Sequence, residues 1–161
     1  MGRNKELNRA LALTDGFRSL EDEVYISLVR TTWLLDTKVH QAYALGKLSP
    51  SQYNVLRILR GSGKPLSCSE ISNRMVTRDS DLTRLLGGLE SRGLVKRRRS
   101  SEDARRIENS ISPKGTALMA KLDEPVGEAI RSQLEALGAN RLNELSDLLE
   151  EVRKKAETSL S

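Results

Sequence analysis

Residues 67–115 read SCSEISNRMVTRDSDLTRLLGGLESRGLVKRRRSSEDARRIENSISPKG, and this stretch decides the fold. Ser67 or Ser69 can cap a short helix that runs through Ile71 and Met75. After a brief turn a second helix runs to Arg92, with Leu82, Leu85, Leu86 and Leu89 at helical spacing on its buried side. Gly93 closes it as the residue just past the C-cap. The period then changes. Leu94-Val95 opens a strand-like run, Ser100-Ser101-Glu102-Asp103 forms a polar tip, and Ile107 to Ile111 returns as a second strand. Ser112-Pro113 restarts a helix through an N-cap residue followed by proline at the first helical position. A short helix, a turn, a second helix and a charged hairpin make a winged helix-turn-helix.

The flanks are helical on both sides. From Leu20 to Leu45, Val24, Leu28, Leu35, Val39 and Ala42 form one apolar stripe with Tyr25, Val29 and Trp33 beside it, and Gly46 ends the helix. Ser49-Pro50 opens the next helix, which carries Tyr53, Val55, Leu56, Ile58 and Leu59 and stops at Gly61-Ser62-Gly63. Beyond the hairpin, a long helix passes through Leu118, Leu122, Val126, Ile130 and Leu134, with a bend expected at Pro125. Gly138 breaks it before a last helix bearing Leu142, Leu145, Leu148, Leu149 and Val152. The expected fold is mainly α with a small β-wing, a winged helix-turn-helix flanked by long N- and C-terminal dimerisation helices. Its expected divisions are residues 1–46 (N-terminal arm and dimerisation helix), 47–112 (winged helix-turn-helix) and 113–161 (C-terminal dimerisation helices). The terminal stripes are too long for a monomer of 161 residues to cover alone, which predicts a homodimer.

Charge is distributed unevenly. The chain holds 27 Lys+Arg against 22 Asp+Glu, a net of +5, and residues 74–106 alone carry ten basic and five acidic side chains. Residues 117–161 are acidic, with six basic against nine acidic groups. The densest part runs from Arg92 through Lys96, Arg97, Arg98, Arg99, Arg105 and Arg106, opposed only by Glu102 and Asp103. Such a block is either a solvated face or a footprint for phosphates, whose condensed counterions it displaces. Its location on the second helix's end and the wing favours the nucleic acid.

Other classes find little support. One cysteine, Cys68, allows no intrachain disulfide, and one histidine, His40, excludes motifs that need two. Together they fall short of the roughly four ligands of a transition-metal site, so no cofactor is expected. Gly61-Ser62-Gly63-Lys64 lacks the glycine spacing of a phosphate loop, and Pro65 stands where Ser or Thr would be needed. No apolar run approaches the roughly 18 residues of a membrane span, and the first residues make a poor signal peptide, so a soluble cytoplasmic protein is expected. Only five residues are aromatic, too few for stacking on single strands as a main mode.

The segment from Leu48 to Gly115 resembles the MarR family of bacterial transcription regulators. Three stretches carry the resemblance: Leu82-Thr83-Arg84-Leu85-Leu86 through Leu89-Glu90, then Arg92-Gly93-Leu94-Val95, then Asp103-x-Arg105 followed eight residues later by Pro113-Lys114-Gly115. The resemblance implies a homodimer on a pseudo-palindromic duplex DNA operator, a repressor without catalytic activity, relieved in many members by a small molecule. The alternative keeps the fold but makes it a protein-interaction module whose basic wing meets an acidic partner.

A recognition helix of this kind enters the major groove near its N-terminal end, where Thr77, Arg78, Ser80, Asp81, Thr83 and Arg84 stand. Arg78 and Arg84 can fork onto guanine or grip phosphate. Asp79 and Asp81 read either as stabilisers of the helix N-terminus or, for Asp81, as an acceptor for a cytosine amino group. Gly87-Gly88 departs from the long or charged residues expected there, at a cost of about 1 kcal/mol each relative to alanine. On the wing, Asp103 would brace the loop while Arg105 or Arg106 enters a narrow minor groove. Arg97, Arg98 and Arg99 alternate in direction along a strand, so only one or two can touch phosphate. The resemblance also implies an effector pocket between the dimer region and the winged domain. Trp33, Thr37, His40, Tyr43, Tyr53 and Arg57 are its candidate lining, suited to a small aromatic or carboxylate effector, or they are ordinary core and interface residues. Cys68 reads as a packing residue rather than a redox sensor.

Overall fold

The computed structural model describes residues 5–12, 14–77, 81–100 and 105–158. Among these residues, seven helices and one hairpin follow in the order α1 (Lys5–Ala10), α2 (Leu20–Leu45), α3 (Pro50–Ser62), α4 (Cys68–Ser72), α5 (Leu82–Ser91), β1 (Val95–Arg99), β2 (Ile107–Ile111), α6 (Pro113–Leu134), a 3-10 turn (Glu135–Leu137) and α7 (Gly138–Thr158). The mainly helical, winged architecture is the one expected; α1 was not.

Local chemistry sets the boundaries. The Ser49 side chain accepts from the Gln52 N–H while the Gln52 side chain accepts from the Ser49 N–H, a capping box that starts α3 at Pro50. Ser67 and Glu70 do the same for α4. Ser112 caps α6, its hydroxyl accepting from the Gly115 N–H and donating to the Gly93 carbonyl. At the end of α5, Gly93 N–H donates to the Glu90 carbonyl and Leu94 N–H to the Leu89 carbonyl. This Schellman arrangement needs the left-handed φ of +71° that Gly93 adopts.

Two expectations are corrected. Helix α4 ends at Ser72 and Met75 lies beyond it, because Arg74 and Met75 donate to carbonyls three residues back instead. Helix α5 begins only at Leu82, with Asp81 as its N-cap, so Thr77 stands outside it. Helix α6 runs through Pro125 without a break.

The core joins α2, α3, α5, the wing and α6. Val55, Leu56, Leu66, Ile71, Leu86, Leu89 and Met119 are fully buried there, and Val39 and Ala42 of α2 close its edge. The hairpin is antiparallel, pairing Val95 with Ile111, Arg97 with Asn109 and Arg99 with Ile107. Leu66 adds a third, one-residue edge, exchanging both backbone hydrogen bonds with Asn109. The buried Asn109 amide donates again to the Leu66 carbonyl, at 2.9 Å.

Two close approaches lock α6 in place. A Cβ on Gly115 would overlap the Leu94 carbonyl oxygen and stand 2.8 Å from Ile111 Cγ1, so the first turn of α6 lies directly on the wing. A Cβ on Gly46 would stand 2.8 Å from Leu122 Cδ1, which seats the end of α2 on the same helix. Farther along, Arg60 of α3 grips Asp123 of α6 through two hydrogen bonds of 2.7 and 2.9 Å. By contrast, none of the described residues of α7 is buried. Leu145, Leu148 and Val152 on α7 and Leu20, Val24, Tyr25, Val29, Trp33 and Leu34 on α2 remain exposed in the single chain.

Candidate nucleic-acid interface

Helix α5 packs against strand β1 of the wing. Thr83 and Arg84 point outward near the start of α5, and Arg84 is 87% exposed. Asp81 caps the helix, one carboxylate oxygen accepting from the Arg84 N–H at 3.2 Å and the other meeting Arg84 Nε at 2.7 Å. The expected stabilisation of the helix N-terminus by Asp81 is therefore present. Arg84, Leu85, Gly88 and Asp81 face Ser49, Ser51 and Gln52 at the start of α3 across an open groove of about 390 Å³. These three α3 residues were missed in the sequence; Ser49-Pro50 signalled only a helix start.

The basic block divides once its partners are known. Lys96, Arg98, Arg99, Arg105 and Arg106 are exposed. Arg92 instead donates to the carbonyls of Lys47 and Gly46 at 2.8 and 2.9 Å, completing the C-terminal turn of α2. Lys114 donates to the Arg92 carbonyl. Arg97, expected among the DNA-contacting residues, turns inward: its side chain is 18% exposed and its guanidinium lies 3.6 Å from Glu90 of α5. Strand alternation is the reason, since Val95 is buried on that same face. Arg106 approaches Glu70 at 4.0 Å. Hydrogen bonds from Ser67 hold the Glu70 carboxyl below its ordinary range, with Arg106 and Lys64 adding to the effect. Arg78, Ser80 and Asp103, also expected at the interface, lie outside the described residues, as does Asp79.

A second concavity, about 290 Å³, lies between α2, α3 and the segment leading into α5. It brings together His40, Tyr43, Tyr53 and Arg57, four of the six expected pocket residues, with Asp36, Asn54, Val76 and Thr77. Tyr43 and Tyr53 stack with ring centroids 4.2 Å apart, and His40 lies 5.9 Å from Tyr43. Burial pushes both phenols above their ordinary value; Tyr53 and Asp36 add to it at Tyr43 and Asp123 at Tyr53, against the pull of Arg57 on both and of Arg60 on Tyr53; both hydroxyls remain donors at neutral pH. Three expectations are corrected here. Trp33 lies one turn before Asp36 on α2, 57% exposed beneath the Arg30 guanidinium, and does not reach the pocket. Thr37 points elsewhere on the helix and donates to the Trp33 carbonyl. Thr77, expected to meet DNA, lines this pocket instead, because it precedes α5. The Val76 N–H donates to the Asn54 side chain at 3.2 Å, tying that segment to α3.

Among the described residues no group of three His, Cys, Asp or Glu side chains is placed to hold a metal ion, and no helix is long and apolar enough to cross a membrane. Cys68 is half-buried against the core, 4.0 Å from the Asn109 amide.

The model of the MarR family matches residues 48–107. The HTH-type transcriptional regulator FarR of Neisseria gonorrhoeae is 28% identical over 137 residues, covering 85% of this chain and 93% of FarR. A MarR transcription factor from Planctomyces limnophilus is 35% identical, with a TM-score of 0.65 over 84% of this chain and 98% of its own. NadR, solved in complex with 4-hydroxyphenylacetate, is 27% identical with a TM-score of 0.68, over 85% and 96% of the two chains.

Proposed function

The chain belongs to the MarR family of winged helix-turn-helix transcriptional regulators, and from that premise we propose that it is a homodimeric repressor released from a pseudo-palindromic duplex operator by a small aromatic carboxylate. The observation that carries the DNA reading is the exposure of Arg84 on α5 and of Arg98, Arg99, Arg105 and Arg106 on the adjoining wing. Arg84 and Thr83 would meet base edges, and the wing arginines would meet phosphate or the minor groove. Binding alone performs this function, in the cytoplasm, and no catalytic step is needed.

The exposed apolar residues of α2 and α7 support the dimer. On a monomer they would leave two helices with large apolar side chains in water, the kind of surface that marks an interface. A two-fold partner would cover them and space two α5 helices for successive major grooves.

The pocket supports the effector. Its volume, at the small end of ligand cavities, suits a single aromatic ring against the Tyr43–Tyr53 stack. Arg57 would pair with the carboxylate; among the described residues it has no ion-pair partner within 4.0 Å. NadR's bound 4-hydroxyphenylacetate is of that class. Val76 and Thr77 are both pocket wall and approach to α5, so a ligand that displaces them shifts the recognition helix.

The test is genomic DNA selection with the purified protein, followed by competition against random duplex at several salt concentrations. The expected result is a palindromic sequence bound with steep salt dependence. Equal affinity for every duplex would instead favour the protein-interaction module. Monocyclic aromatic carboxylates should weaken operator binding, and Arg57→Ala should remove that response while preserving ligand-free affinity.

A further inference from the structure

The start of α5 carries an arrangement more specific than a basic face. Arg84 is 87% exposed, so packing does not fix its guanidinium. On its C-terminal side stand Gly87 and Gly88. A Cβ at Gly88 would meet nothing within 4 Å, and one at Gly87 only Arg97 Nη1 at 3.9 Å. Neither glycine has a positive φ, so neither packing nor backbone conformation demands them. What orients Arg84 is Asp81, through the contacts to its backbone N–H and to Nε.

Two features make this more than a helix cap. Serine caps a helix N-terminus about as well as aspartate and would bring no negative charge to a surface that meets phosphates. What a capping serine lacks is the second oxygen with which Asp81 holds Nε. With Nε engaged, Nη1 and Nη2 still present their N–H groups as a fork, the geometry that matches guanine O6 and N7. The bare backbone at Gly87-Gly88 leaves room for a base edge to approach that fork.

We propose that Asp81 is a positioning residue that presents Arg84 end-on to one guanine in each half-site, making this pair a determinant of operator specificity. The proposal rests on the DNA-binding reading above. Asp81 touches no base in this scheme; it acts through Arg84.

The experiment selects from duplexes with a random core of about 25 base pairs, two helical turns with a margin, using the full-length protein. The selected duplex and its single-pair variants are then titrated with each protein variant. The wild type should retain one G·C pair per half-site, with discrimination of about 10-fold or more. Arg84→Ala should erase discrimination at that pair and leave the other positions as they were. Asp81→Ser keeps the cap and removes a negative charge, so it should tighten binding to random duplex while cutting discrimination at the same pair several-fold. Asp81→Asn, which also caps, repeats the measurement should the serine variant melt early. Discrimination that survives both Asp81 substitutions, or affinities that change by one factor for all sequences, would overturn the positioning role. A wild-type protein that enriches no sequence would overturn the DNA-binding reading itself.

Discussion

Gly115→Ala tests the contact that holds α6 on the wing. The added methyl would overlap the Leu94 carbonyl oxygen, stand 2.8 Å from Ile111 Cγ1 and lie 3.2 Å from the Leu94 carbonyl carbon. The obstruction is backbone rather than the end of a flexible side chain. Relief therefore requires α6 to lift by about 1 Å, and overpacking of this kind costs about 1–3 kcal/mol. Lifting α6 also strains its cap, because the Leu94 carbonyl accepts from the Ser112 N–H and the Ser112 hydroxyl bonds both Gly93 and Gly115. Loss of a cap adds about 1 kcal/mol. A total near 2–4 kcal/mol should lower Tm by about 5–15 °C for a chain of this size. Gly88→Ala is the control of opposite sign: its methyl meets nothing within 4 Å, and replacing a helical glycine should stabilise by about 0.5–1 kcal/mol. Thermal melts followed by circular dichroism, at one protein concentration because assembly shifts Tm, would decide. A Gly115→Ala protein melting within about 2 °C of wild type, below the smallest shift expected, or a destabilised Gly88→Ala protein, would refute the reasoning.

Two further substitutions separate structural from DNA-facing charge. Arg92→Ala removes two hydrogen bonds to the end of α2 and should cost about 1–2 kcal/mol in urea unfolding, while the slope of operator affinity against salt stays unchanged; a shallower slope would return Arg92 to the interface. Asp123→Asn breaks the grip of Arg60, worth about 0.5–1 kcal/mol for groups this exposed to solvent. Hydrogen bonding to Arg60 holds the Asp123 carboxyl below its ordinary 3.8. Its contribution is thus complete above that pH and disappears as pH falls through the lower folded value. Wild type and variant should therefore differ in stability at pH 7 and converge in acid, and a gap that persists at low pH would show that charge is not its origin.

The fold was legible because its punctuation is local. Ser49-Pro50, Ser112-Pro113 and Gly93 act within one turn of the chain, and the structure uses each of them as a cap. The wing's return strand likewise announced itself by a change of period. What stayed hidden depends on partners far apart in sequence. Arg92 looks like part of a cationic block, yet it reaches back to the carbonyls of Gly46 and Lys47, and no spacing rule encodes that. Arg97 was open to a better reading: the apolar Val95 two residues earlier fixes the phase of the strand, and Arg97 shares its inward face. Trp33 illustrates the opposite limit. It has the character of a pocket residue and the helical register of Asp36, but it lies one turn before the pocket on α2. The Leu66 edge, a single residue between Pro65 and Ser67, has no periodicity to detect.

The contact at Gly115 has a mechanical consequence. With the wing and the first turn of α6 in backbone contact, the proposed DNA-facing surface and the 22-residue helix behind it would turn as one lever arm of about 33 Å. A rotation of only about 5° at the far end would sweep the wing by roughly 3 Å, and in a two-fold dimer both arms would swing. Half-sites are spaced near 34 Å, one turn of duplex, so such a swing changes the span by a sizeable fraction of a groove. Affinity for a fixed operator would then report the angle between two helices remote from any base.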